Sequence, residues 1–193
     1  MMRDLIDLPD YTERNSSGYT LLFYDIDCHK KLTGSETPVS LTPQEFQEID
    51  DEDLGPLLGL FRALFTTYFE EIEFGPIIGG VVYELRLNRE PASMKVHDGY
   101  LTVAFHDGFG HFHICCGKSE ANELLGRSDR RIKRAALYRG LDMENRLTGT
   151  GGLRCWNGAD QQMINIFLRG KNGPQIVKEL IARFCFSEPS AQI

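Results

Sequence analysis

Between Gly110 and Gly117 the chain reads His111-Phe-His113-Ile-Cys115-Cys116. Imidazole and thiolate are ligands for zinc, copper and iron. Alternate positions on a strand carry such groups on one face, about 7 Å apart at their Cα atoms. A run of His111, His113 and Cys115 is therefore a candidate metal site on one strand. His106, four residues before Gly110, is a fourth candidate if the chain turns back between them. Three protein ligands with an open position suit a catalytic metal, and four close the site as a structural one. A metal-free version makes Cys115 a thiolate nucleophile with His113 or His106 as its base. The bland reading is a sheet face whose histidines hydrogen-bond to neighbours and whose cysteine packs as a small hydrophobe.

The elements that must position these groups follow from period-two alternation. Asp98-Gly99 between MKVH and YLTVAF is a hairpin signal. The turn Asp107–Gly110 separates the next two strands. Leu101, Val103 and Phe105 then share a face with Phe112, Ile114 and Cys116. Tyr100, Thr102, Ala104 and His106 share the other with His111, His113 and Cys115. His97 falls opposite Tyr100, about 20 Å from His106 along the strand. Asn157-Gly158 marks a further hairpin, with Leu153, Cys155, Ile164, Ile166 and Leu168 on the apolar side. Arg154, Trp156, Gln161, Met163 and Asn165 are on its other side.

Helices supply the cover. Thr42-Pro43-Gln44-Glu45 is a capping box that starts a short helix. Leu57 to Ile72 carries an apolar stripe at helical spacing, and Pro174–Phe184 carries another. Tyr19–Tyr24 reads as a short strand, and Val81–Arg89 as a strand stopped by Pro91. The expected fold is α+β: an antiparallel sheet of hairpins with helices packed on one face. Residues 1–20 are expected as a flexible arm, 21–186 as a single domain and 187–193 as a disordered tail.

Composition narrows the function classes. The formal net charge is −7 over 193 residues, which argues against nonspecific nucleic-acid or anionic-membrane binding. Neither a signal-peptide core nor a stretch of about 18 apolar residues is present. The five scattered cysteines then read as reduced thiols in a cytoplasm. From Lys118 to Arg154 nine basic residues stand against five acidic ones, a segment expected to be solvated or to pair with the acidic 45–53 stretch. Arg139 and Arg154 sit in strands, and with Gln161 and Asn165 they are candidates for holding an anionic ligand.

The stretches GHFHICCG, LRCWNG and QQMINIFL resemble an uncharacterised bacterial protein family with a His-x-His-x-Cys strand motif, over about residues 80–170. The resemblance implies no activity. Two functions therefore stand as expectations. One is a small metal-binding protein, an enzyme or not, holding one transition metal (zinc, iron or copper) on His111, His113, Cys115 and His106. The other is a non-catalytic accessory protein whose polar sheet face holds a small molecule or a protein partner.

Overall fold

The structure is a computed structural model that describes residues 9–14, 19–28, 40–78, 81–106, 110–170 and 172–185. Its helices begin where local chemistry starts them. At α1 (Pro43–Glu48) Thr42 Oγ1 accepts from the Glu45 amide at 3.2 Å, and the Glu45 carboxylate accepts from the Thr42 amide at 2.7 Å. A four-residue turn of helix, α2 (Asp51–Leu54), and the longer α3 (Pro56–Thr66) follow. The expected helix out to Ile72 stops earlier. After Thr66 the chain makes a 3-10 turn and enters strand β3 (Ile72–Ile78). After a short helix α4 (Glu120–Leu124), the C-terminal helix α5 (Gly173–Phe184) buries Ile176, Val177, Leu180, Ile181 and Phe184, the stripe read from the sequence.

The strands form two antiparallel sheets rather than one. The larger sheet runs β1 (Tyr11–Arg14), β2 (Thr20–Asp25), β9 (Ile132–Leu141), β10 (Leu147–Asn157), β11 (Gln162–Leu168), β3 and β4 (Val81–Val82), with β5 (Leu85–Arg86) also pairing β3. The smaller sheet is β6 (Ser93–His97), β7 (Tyr100–Ala104) and β8 (His111–Cys115). Val81–Arg89, expected as one strand, is thus two short pieces. Tyr11–Arg14, expected within a flexible arm, is an edge strand paired to β2. The expected tail, 187–193, and the glycines Gly79-Gly80 lie outside the described residues.

Both sheets turn their apolar faces to one core. Leu101, Val103 and Ile114 from the small sheet join Leu137, Leu153, Cys155 and Ile166 from the large one, with α3 and α5 residues in the same cluster. The junction is aromatic. Phe65 of α3 meets Phe74 of β3 edge-on at 5.0 Å, and Phe112 of β8 lies 5.4 Å from Phe65 and 5.5 Å from Phe74. Removing one such buried ring costs about 3–5 kcal/mol. The outward faces of the two sheets are therefore separate surfaces, each backed by the shared core.

Arg62 ties the helices together. It donates to the Phe46 carbonyl at 3.0 Å, to the Ile49 carbonyl, and to Asp51 at 2.7 Å. Asp51 also accepts from Arg183 of α5. Within the acidic stretch Asp51 is therefore paired to Arg62 and Arg183, and among the described residues no ion pair joins the stretch to the basic 118–154 segment.

Candidate functional site

The small sheet presents a grid of three rows on its outward face. Asp98 and Gly99 close the β6–β7 turn with φ of 44° and 72°, the left-handed pair that a two-residue hairpin needs. The register that follows sets Ser93, Ala104 and His111 in one row, Lys95, Thr102 and His113 in the next, and His97, Tyr100 and Cys115 in the third. Met94, Val96, Leu101, Val103, Phe112 and Ile114 occupy the core side. The alternation of His111, His113 and Cys115 against Phe112 and Ile114 is as expected from the sequence.

His111 and His113 are both exposed, and their rings stand 4.7 Å apart at 74°. Thr102 Oγ1 lies 2.8 Å from His113 Nδ1, so Nε2 is the nitrogen left to face outward. The Tyr100 ring meets His113 edge-on at 6.3 Å. Burial, then the charges of His111 and Lys95, hold His113 below the ordinary histidine value. Its imidazole is consequently neutral, the form that ligates, over a wider pH range.

Cys115 has a different setting. It is buried, its Sγ receives Asn122 Nδ2 at 3.5 Å, and it lies 3.6 Å from the Gly117 carbonyl. Burial pushes its thiol up, more than hydrogen bonds from Tyr100 and Asn122 bring it down. With no metal bound, a thiol so placed ionises less readily than a free one. His106 lies past the end of β7 and lines a cleft with residues 85–90 and Phe105, a cleft in which neither His111 nor His113 takes part. Among the described residues no three histidine, cysteine, aspartate or glutamate side chains gather as a group able to hold a metal ion. Of the four residues read as ligands, the structure brings His111 and His113 together.

The four residues read as an anion site are spread over the large sheet. Arg154 and Asn165 face each other across β10 and β11. Arg154 stacks over Tyr138 at 4.8 Å and Phe23 at 5.4 Å, and Asn165 Oδ1 accepts from the Tyr138 hydroxyl at 3.3 Å. Arg139 is opposite Gly151, on the side where Val177 of α5 packs. It is buried on the face opposite to Arg154. Gln161 is in the turn, where its amide and side chain both bond Asn157. The four make no common site. Arg134, which the sequence reading left among the surface charges, lies 4.0 Å above the Trp156 ring. The two are register partners across β9 and β10, and alternation along either strand gives their faces but not that register.

The cleft that includes His106 has a volume of about 360 Å³. A second, of about 420 Å³, lies between α1 and the start of β6 and shares Glu90 with the first. No helix among the described residues is long and apolar enough to cross a membrane.

A family model described as a family of unknown function (DUF7676) matches residues 39–176. That span includes the small sheet, both clefts and the strands β9 to β11. No curated protein and no solved structure matches the chain.

Proposed function

We propose, for a chain that belongs to the DUF7676 family, that it is a metal-binding protein holding one transition-metal ion between His111 and His113. The observation that carries the reading is the spacing of the two rings. With a metal–nitrogen distance of about 2.0–2.1 Å, an imidazole centre lies about 3.2 Å from the ion, and two such rings at tetrahedral or right angles have centres about 4.5–5.2 Å apart. His111 and His113 stand at 4.7 Å. The oxygen partner on His113 Nδ1 is what a ligating histidine has on its other nitrogen, since it sets the tautomer and the ring plane.

Two imidazoles leave the remaining coordination positions to water or to a small ligand. The order of affinities for such a nitrogen site places copper above zinc and zinc above iron. Cys115 and His106 are not part of this donor pair. The five cysteines are free, which fits a reducing cytoplasm, and the acidic balance of the chain fits a small ligand better than a nucleic acid.

Calorimetric titration of untagged protein with zinc and with copper tests the reading. One ion per chain is expected, with binding lost in His111→Ala and in His113→Ala and kept in His97→Ala. Equal affinity in the wild type and both histidine variants would refute it.

A further inference from the structure

Resting on the metal reading of His111 and His113, we infer that the open side of the pair takes a small oxyanion, and that Lys95 is the residue that selects it. Strand β6 points Met94 and Val96 into the core, so Ser93, Lys95 and His97 face outward. The register sets Lys95 opposite Thr102 and Thr102 opposite His113. Lys95 thus stands in the row of His113, two strands away, at about 9–10 Å between Cα atoms. Its long flexible stem lets the ammonium reach toward the imidazole. Thr102 between them is held against His113 Nδ1. Ala104, beside His111 in the adjoining row, is too short to fill the space above the sheet.

Lys95 is exposed and forms no ion pair among the described residues. None of the nine residues in the three outward rows is acidic. Asp98, in the hairpin turn, is taken by the Ser119 hydroxyl at 2.8 Å and the Glu120 amide at 2.7 Å. Lys95 is close enough for its charge, after burial and His111, to lower His113. Such a cation opposes a metal ion on the histidines unless a charge of opposite sign joins them. Two neutral imidazoles leave the charge of a divalent ion whole. An oxyanion satisfies both cations, with one oxygen at an open coordination position and another accepting from the ammonium. A neutral ligand gains the first contact alone. Selection is therefore by charge at short range, in a chain whose net charge of −7 gives anions no attraction at a distance.

The probe is acetate, with acetamide as its neutral counterpart of the same shape, added to copper(II)-loaded protein above the ordinary histidine value of about 6.5. Visible absorption and electron paramagnetic resonance read the ligation. Saturable acetate binding is expected, at least about five-fold tighter than that of acetamide and about three- to five-fold weaker in Lys95→Met, as for an exposed charge pair. Lys95→Arg should keep close to the wild-type value. Added salt should weaken acetate binding more in the wild type than in Lys95→Met. Copper affinity without acetate should be equal or higher in Lys95→Met, because a neighbouring cation has been removed. With copper bound by the wild type, equal affinity for acetate and acetamide, unchanged acetate affinity in Lys95→Met, or weaker copper binding in Lys95→Met would each overturn the role of Lys95 and leave the metal reading standing. Failure of the wild type to bind copper would overturn both.

Discussion

Thr102→Val is the substitution that separates a built metal pair from two neighbouring histidines. Thr102 is 8 % exposed and its Oγ1 lies 2.8 Å from His113 Nδ1. With metal on Nε2, Nδ1 carries the proton and the threonine oxygen accepts it. Valine keeps the shape and the strand preference but removes the acceptor. A neutral bond of this kind is worth about 0.5–1.5 kcal/mol net, or about two- to thirteen-fold in a dissociation constant. Orienting partners of metal histidines cost about ten- to a hundred-fold when lost, and a hydroxyl is a weaker acceptor than a carboxylate, so about three- to ten-fold is expected. The assay is competition for zinc against a chromogenic chelator, above the ordinary histidine value of about 6.5, on wild type, Thr102→Val, Thr102→Ser and His113→Ala. Thr102→Ser should restore most of the affinity. Wild-type affinity in Thr102→Val, with binding lost in His113→Ala, would refute the orienting role of Thr102.

Four further outcomes are expected. In a proton NMR titration His113 should titrate below about 6.5, for the burial, His111 and Lys95 that hold it down, and Lys95→Met should move it upward; a midpoint at or above the ordinary value would contradict this. Because its folded value is the lower one, its contribution to stability is full above about 6.5 and is lost as pH falls through the folded value. Asp51 is pushed up by burial but held lower overall by hydrogen bonds from Arg183 and then Arg62, so Asp51→Asn should cost about 1–2 kcal/mol, or about 2–8 °C in melting temperature. In the wild type that stabilisation should be present above the ordinary carboxylate range and disappear as pH drops through the lowered value. Gly75→Ala would place a Cβ 1.7 Å from the Tyr83 carbonyl oxygen, so it should destabilise the fold by about 2 kcal/mol or more, read as a lowered melting temperature. Cys115→Ser should leave zinc affinity within about two-fold, since Cys115 is buried, bonded by Asn122, and not gathered with the histidine pair; a large loss would bring Cys115 into the donor set.

The small sheet was legible because one of its faces is apolar and packed on the core, while most residues of the other are at least partly exposed. Phe112 and Ile114 point into the core between His111, His113 and Cys115, so period two is written in the residues themselves. The capping box at Thr42 and the stripe of α5 are local signals of the same strength. Strand β3 was invisible for the opposite reason. Ile72, Glu73, Phe74 and Gly75 are all buried, so no alternation marks them, and Tyr68, Phe69 and Ile72 happen to extend the helical spacing of α3. The division into two sheets was not legible either, because an alternating hairpin reads the same whichever sheet it joins. Arg139 was placed with Arg154 because both are arginines inside strands. Their opposite faces depend on the pairing of Arg139 with Gly151 across a turn whose geometry the sequence does not specify. His106 was assigned by counting through a turn, and the cleft it lines is built from Leu85 to Glu90, where alternation reads as one continuous strand but the chain pairs with β3 only at Leu85 and Arg86.

The two sheets differ in when they can be completed during synthesis. β6, β7 and β8 are hairpin neighbours within residues 93–115, so the surface that carries His111 and His113 can close as soon as that stretch has left the ribosome. The large sheet cannot. β2 pairs β9, with Thr20 opposite Leu141 and Asp25 opposite Ala136, and β3 waits for β11, with Phe74 opposite Ile166. Two early strands therefore carry open edges until the last third of the chain emerges, and such non-local pairings fold slowly, in about milliseconds to seconds. In that interval the nascent chain exposes the edges on which misassembly starts, and refolding of the purified protein should be limited by the closure of β2 onto β9.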